Sequence, residues 1–559
     1  MQRFLLLIAA VLLGLSWLSP YHYTPWLTFS SELLAYAAAL CLAGMYIDKP
    51  LLLAKQQFPL LLISLIPFLQ FAFGIELYFN KALLSFLYLF AFLSMVTVGF
   101  NLSQNPQQRQ KIMSGFCILT FVVGLICVGI AFLQWLHLDS SVKEIIMQLR
   151  GNRPYANFAQ PNNMATFLMM SLMGCLYLFE KRTLPTWCIG LGAALLVFTI
   201  ALSQSRTPWV ACVVLSLYFI WNKNRLERFK LPHLAGWVMG YIACLLLVPI
   251  FNALLVQWGL SHSEMGDVIE RASSSHSRFN IWMQMVYAIQ QHPWVGYGWN
   301  QTSIAQLAGA DFLAHNERTN SAHNLILEML VWNGVVLGTA IIAYALWWLY
   351  QLCKQRGSIE SVVALAAVGC VLIHAMFEFP QNYAYFLLPM GFLLGLVQSE
   401  KQNLASVEIK SSITTTILVL GILMYGFIWR DYLDSIDVMN AAHRHSDQGQ
   451  PVQQTPQVYL LDQFQHRADW YYLNRFTKLS EEQLEDYHRA VVITPTHYDL
   501  YKYAQLLAYN GQFDEAKHQL KLIHGLYQID HPASELLEPK DQDGHQLDGI
   551  PSQSVMQHH

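Results

Sequence analysis

Residues 316–338 read NERTNSAHNLILEMLVWNGVVLG. A polar run carrying Glu317, Arg318, Asn320 and Ser321 ends at His323. From there the chain stays apolar for about twenty-five residues, long enough to cross a bilayer. Ser321 is the expected N-cap of that helix, which puts His323 in its first turn at the water boundary. An imidazole there gains or loses a proton near neutral pH while it faces a helix bundle. An interfacial histidine without chemistry fits the same residues, so the choice between the two rests on the rest of the chain.

Composition makes this an integral membrane protein. Of 559 residues, 54% are hydrophobic and 12% charged, and mean hydropathy is +0.33. A soluble domain carries roughly twice that charge. A net charge of −3 leaves no global field for nucleic acid. The nine cysteines fall in apolar spans or at their ends, without CxxC or Cys/His spacing. Neither a zinc site nor a disulfide framework is implied. Residues 1–19 have the apolar run of a signal peptide, but LSWLSPYHY lacks a small-residue cleavage site and another span follows, so they read as the first membrane helix.

Apolar runs number about thirteen, at 4–19, 26–47, 58–75, 81–100, 112–137, 162–179, 186–203, 208–222, 234–258, 323–350, 359–378, 380–398 and 412–429. Their weakest points are the short first span and the Phe379–Pro380 break, where one long kinked helix is the alternative. Basic residues fall in alternate connections: Arg3; Lys49 and Lys55; Arg109 and Lys111; Lys181 and Arg182; Lys223, Arg225, Arg228 and Lys230; Lys354 and Arg356; Lys401 and Lys410. The positive-inside rule puts these in the cytoplasm and the tail from Arg430 outside. Within the outer loop 259–322, SRFNIWMQMVYAIQQHP (277–293) has apolar residues at Phe279, Trp282, Met283, Val286 and Ile289, helical spacing suited to the membrane surface. WVGYGWNQ (294–301) reads as a tight turn.

The tail is charged. YDLYKYAQLLAYNGQFDEAKHQLKLIHGL (498–526) reads as two helices joined at Asn510–Gly511 and resembles one tetratricopeptide unit. One unit cannot bury its own face, so it stacks on neighbours such as 481–492. A stabilising cap and a docking surface remain equal readings, and from about Pro532 the composition suggests disorder.

Four polar positions gather on the outer side. Gln160 precedes Pro161 near a helix N-cap, Arg206 precedes Thr207–Pro208, Arg278 opens the amphipathic segment, and His323 opens its own span. Helix N-termini favour a bound anion, and two arginines suit a diphosphate better than a carboxylate. With histidine as general base, the set suits transfer from a diphosphate-linked donor to a hydroxyl. Each residue has a plainer reading: headgroup anchors for the arginines, a helix cap for Gln160. Glu328 is a functional candidate by its place in a span, or a neutral acid bonded to a neighbouring helix. His374 and Glu378 are spaced i,i+4 as a metal pair would be, but no third ligand is evident. Gly334 and Gly338 read as close-packing positions.

HNLILEMLVWNGVVLG (323–338) resembles the signature of the O-antigen ligase superfamily, in which a histidine–asparagine pair opens a span. HPWVGYGWNQ (292–301) resembles the loop segment before it, and SQSRTPW (203–209) the serine–arginine motif. NRPYANFAQPNNMATF (152–167) resembles more narrowly the glutamine-proline-asparagine segment of bacterial protein O-oligosaccharyltransferases of the PglL type. HAMFEFPQNYAYFLLP (374–389) resembles a later segment of that group, with Phe379 where tyrosine is often expected, leaving Tyr383 and Tyr385. The resemblance runs from about residue 151 to 389.

The resemblance implies an enzyme that moves a preassembled oligosaccharide from undecaprenyl diphosphate to serine or threonine of exported proteins, such as pilins, at the periplasmic face of the bacterial inner membrane. His323 would be the base, Arg206 and Arg278 would hold the diphosphate, and Gln160, Asn162, Asn324, Tyr383 and Tyr385 would position substrates, with no metal and no cofactor. The expected fold is an all-α polytopic membrane protein: a transmembrane domain over 1–429 with periplasmic loops 138–161 and 259–322, a periplasmic helical domain over 430–531, and a disordered tail over 532–559. The rivals are an O-antigen ligase acting on lipid A core, a repeat-unit polymerase, and a transporter relaying protons through Glu328 and His323. A scaffold whose business lies in the tail leaves the outer cluster unexplained.

Overall fold

A computed structural model describes residues 2–259, 276–355, 357–401, 403–448, 451–452 and 454–537. Part of the 259–322 loop and most of the tail expected to be disordered lie outside the described residues.

Each apolar run overlaps a helix, and the 323–350 run overlaps two, parted at Gly334. Among the described residues, seven helices are long and apolar enough to cross a membrane: Phe29–Tyr46, Phe79–Leu102, Pro106–Trp135, Pro161–Glu180, Leu231–Gln257, Leu325–Lys354 and Ser411–Ser446. Shorter apolar helices are Gln2–Leu18, Thr186–Leu202, Thr207–Trp221, Ile359–Ala375 and Ala384–Gln398. Proline opens several of them, because its missing N–H is one that a first turn cannot use anyway. Pro106 follows the Asn105 cap, whose side chain accepts from the N–H groups of Gln107 and Gln108. At Phe379–Pro380 the chain leaves one helix at Ala375, makes a short 3-10 turn over Pro380–Asn382, and starts another at Ala384. These are two helices.

The fold is mostly helical, with one short strand pair among the described residues. Leu51–Ala54 and Ser406–Ile409 pair antiparallel, Leu51 opposite Ile409 and Ala54 opposite Ser406. Both strands lie in connections marked by lysines. Short runs such as LLLA and SVEI, cut off from helix by Pro50 and the following polar residues, pair instead of coiling.

Two compact units emerge, one of residues 1–64, 87–274 and 343–426, the other of 65–86, 275–342 and 427–559. At the heart of the first lies Pro161–Glu180, buried along nearly its whole length. It packs against Pro106–Trp135, Ile359–Ala375 and Thr186–Leu202.

The second unit holds the helices His276–Gln291 and Thr302–Ala310 and the C-terminal helices Asp462–Tyr472, Glu481–Ile493, His497–Tyr509 and Phe513–Tyr527. The last two join at Asn510–Gly511, as the sequence implies, with Gly511 at φ 87°. Their core of Trp470, Val491, Leu500, Leu507 and Ile523 also takes in Leu307 and Ala310. Ser411–Gln448 is one helix of 38 residues, with no glycine or proline between Phe427 and Gln448 to stop it and Arg430 paired to Asp434 one turn on.

The helix begun at Leu325 breaks at Gly334, where φ 71° and ψ 176° are far from helical. The freed backbone is satisfied by the glycine-rich turn of 292–298. Tyr297 N–H donates to the Val331 carbonyl at 2.8 Å, Gly298 N–H to that of Trp332 at 3.2 Å, and Val335 N–H to that of Pro293 at 2.7 Å. A Cβ on Gly334 would lie 2.5 Å from the Trp294 carbonyl, and one on Gly296 2.5 Å from that of Val331. Gly334 therefore does more than permit close packing. It ends one helix and starts another.

Candidate active site

In the first unit the site is built around the start of Pro161–Glu180. Gln160 occupies the N-cap position without capping through its side chain. Its amide donates instead to Glu378 Oε2 at 3.5 Å, and Asn162 Nδ2 donates to Glu378 Oε1 at 3.1 Å. Arg153, which sequence reasoning missed, donates to Asn162 Oδ1 at 3.4 Å and to the Ser203 carbonyl at 2.9 Å. Ser203 opens the SQSR segment, so one guanidinium joins the two motifs that carry Gln160 and Arg206. Arg206 is half-buried at the N-cap of Thr207–Trp221.

His374 Nδ1 shares a hydrogen bond with Thr166 Oγ1 at 2.9 Å, and Glu378 faces the two amides. Among the described residues no three His, Cys, Asp or Glu side chains gather as a metal would require. Of the two tyrosines, Tyr385 is 2% exposed and packs against Phe158, Phe386 and Tyr383. That places Tyr385 in the core. Tyr383, half-buried beside Phe379, is the tyrosine of this segment that remains accessible.

In the second unit the site is built around His323, and here the expected cap is corrected. Asn324, not Ser321, caps the helix: its Oδ1 accepts from Ile326 N–H at 3.0 Å and Leu327 N–H at 3.2 Å. Asparagine is among the strongest cap residues. Ser321 is three residues too early, because its hydroxyl is engaged by Glu328 Oε1 while accepting from His323 N–H at 3.0 Å. His323 thus precedes the helix, at φ 51°.

Glu328 is fully buried and bonded to a neighbouring helix. It accepts from Thr302 Oγ1 at 2.7 Å and Ala322 N–H at 2.7 Å as well as from Ser321. Its position fixes the turn that carries His323.

The loop leading to His323 is tied at alternate residues. Asp311 meets His518 Nε2 and Lys521 Nζ, each at 3.1 Å. The Leu313 carbonyl accepts from Gln284 at 2.8 Å, and His315 N–H donates to the Gly525 carbonyl at 2.7 Å. The Glu317 carbonyl accepts from Gln306 at 2.7 Å, whose Oε1 accepts from Thr319 N–H at 2.8 Å. Thr319 Oγ1 donates to the Ser321 carbonyl at 2.7 Å. The glutamines come from His276–Gln291 and Thr302–Ala310 and are fully buried. The buried stripe of the first helix is Ile281, Gln284, Met285 and Ala288, not the stripe of Phe279 and Val286, which points outward. Arg278 lies near that helix's start and is half-buried.

Left-handed residues stand before all three motif helices: Ala159 at φ 58°, Gln204 at 50° and His323 at 51°. Non-glycine residues rarely adopt this conformation, at a cost of about 1–3 kcal/mol each, and such strain clusters where function fixes the backbone. No sequence signal marks these positions.

Family models match in three places. One described as O-antigen ligase covers residues 191–342, one described as virulence factor membrane-bound polymerase, C-terminal, covers 362–540, and one described as protein glycosylation ligase covers 154–179. Helices, site and models define the class: a multi-pass membrane transferase of the O-antigen ligase superfamily. The general O-oligosaccharyltransferase of Acinetobacter baylyi is 40% identical over 540 residues, 96% of this chain and 94% of the relative. The ComP-specific O-oligosaccharyltransferase of the same organism is 27% identical over 494 residues, 86% of this chain and 87% of the relative. The chain belongs to the bacterial protein O-oligosaccharyltransferases, enzymes of protein O-glycosylation.

Proposed function

We propose that this chain transfers a preassembled oligosaccharide from undecaprenyl diphosphate to serine or threonine hydroxyls of exported proteins, pilins among them, at the periplasmic face of the inner membrane. The observation that carries this reading is the held posture of His323, set in a left-handed turn between Ser321 and the Asn324 cap, outside the helix. His323 takes the proton of the acceptor hydroxyl as its oxygen attacks the anomeric carbon. The bond from that carbon to the diphosphate oxygen breaks, and the leaving diphosphate departs with its added charge held by Arg206 and Arg278. Planar guanidinium forks suit such an oxyanion. Gln160, Asn162 and Tyr383 position donor or acceptor. Asn324 acts through its cap.

General-base assistance is typically worth about 10²–10⁴ in rate. His323→Asn retains a residue tolerant of the left-handed conformation but removes the base. It should cut transfer at least about a hundredfold, with the protein inserted and donor still bound. A purified His323→Asn enzyme transferring at near wild-type rate would sink the assignment. Glycan profiles of a deletion strain separate the acceptor classes: loss from exported proteins with intact lipopolysaccharide is expected, and the reverse selects a ligase onto lipid A core.

A further inference from the structure

We infer that the Phe513–Tyr527 helix positions the loop that presents His323, with His518 as its positioning residue and the Asp311 carboxylate as the point where it acts. This rests on the base role proposed for His323. Seven alternate residues, Asp311 to His323, carry the loop, and two of their ties come from this one helix: the Asp311 ion pairs and the Gly525 carbonyl that receives His315 N–H. The same helix shares a core with Leu307 and Ala310, the residues just before the loop. A Cβ on Gly525 would stand 3.2 Å from the Ala310 carbonyl.

His518 is fixed on both ring nitrogens. Nε2 faces Asp311 and Nδ1 faces Glu515 at 3.2 Å, and only the imidazolium donates from both. Burial pulls its pKa down, but the hydrogen bonds to Asp311 and Glu515 outweigh that and raise it. The other charged groups around it are Lys521 on its own helix, which shares Asp311, and His488 on Glu481–Ile493, itself paired with Glu485. Losing the tie frees the start of the loop, and a displacement of about 1 Å at a reacting group costs on the order of a hundredfold in rate. The effect belongs in kcat, because the tie touches neither substrate.

The test uses full-length enzyme, undecaprenyl-diphosphate oligosaccharide extracted from the host membrane, and the exported protein that the wild type glycosylates. His518→Ala and Asp311→Asn should lower kcat about tenfold or more, with both KM values within about twofold and thermal melting above the assay temperature. His518→Lys, which keeps a cation against Asp311, should restore kcat and hold it at alkaline pH, where the wild type falls as His518 loses its proton. An unchanged kcat in His518→Ala overturns the inference, and so does a raised acceptor KM at unchanged kcat, which makes the tail a docking surface. Should His518→Ala fail to fold, Lys521→Ala and Glu515→Gln carry the same kcat-against-KM comparison. A His323→Asn enzyme with full activity refutes the base assignment instead, whatever His518 does.

Discussion

Glu328 accepts three hydrogen bonds with no exposure to solvent. Truncating it to alanine strands the Ser321 and Thr302 hydroxyls and the Ala322 N–H, and each buried unsatisfied group costs about 1–3 kcal/mol. Glu328→Ala should therefore lower the melting temperature and turnover together, whereas Glu328→Gln should keep most of the fold and lose turnover. A Gln variant with wild-type kcat would show that the turn does not depend on this carboxylate. Glu378 makes the parallel case. Glu378→Ala releases the Gln160 and Asn162 amides, and initial rates should fall about tenfold to a hundredfold by misplacement. At this scale the sequence points to Gln160, Asn162, Arg206 and His323 because each sits in a short motif, and to Arg278 because it opens the amphipathic segment. Arg153 escaped because its role is a contact across about fifty residues with the Ser203 carbonyl, which no local pattern encodes. Ser321 and Asn324 are both good cap residues, three apart. Only the engagement of Ser321 by Glu328 decides between them.

Among elements, the glycine turn of 292–298 and the break at Gly334 stabilise each other. Gly334→Ala forces a side chain into φ 71° and against the Trp294 carbonyl. It should destabilise by about 1–3 kcal/mol from backbone conformation alone, more with the clash, and Gly296→Ala should behave alike. Gly236→Ala, with nothing within 4 Å of its Cβ and a helical setting, should be neutral or mildly stabilising. Equal melting temperatures for the three would contradict the break. Lys502, on His497–Tyr509, is 2% exposed, and burial lowers its pKa to about 7. Its unfolded pKa is about 10.4. Between those values the unfolded chain binds more protons, so this group adds stability as pH rises from about 7 and its cost is fully present below that. Lys502→Met should raise the melting temperature most at pH 6 and least near pH 10. Apolar runs announced every long helix, since bilayer-length hydrophobicity is a strong signal. The sheet of Leu51–Ala54 with Ser406–Ile409 was illegible, because four-residue strands far apart in sequence leave no periodicity to read.

For the whole molecule, the alternating basic connections predict the orientation. A reporter active only outside the cytoplasm should work when fused after residue 537 and fail when fused near Lys223. Fusion at Arg430 would cut the continuous Ser411–Gln448 helix and confuse folding with topology. A cytoplasmic tail would place His323 on the wrong side for exported acceptors.

The alternate ties along 311–323 divide that loop by parity. Phe312, Ala314, Asn316 and Asn320, between ties, are exposed, whereas Arg318 is half-buried and Ala322 is fully buried with its N–H on Glu328. Those four exposed positions can change with little disturbance of His323. Length is another matter. One inserted or deleted residue exchanges the two sets, presenting anchors to solvent and free side chains to Gln284, Gln306 and Gly525. A library of this loop should accordingly yield active members with many substitutions at Phe312, Ala314, Asn316 and Asn320 and almost none with a change of one residue in length.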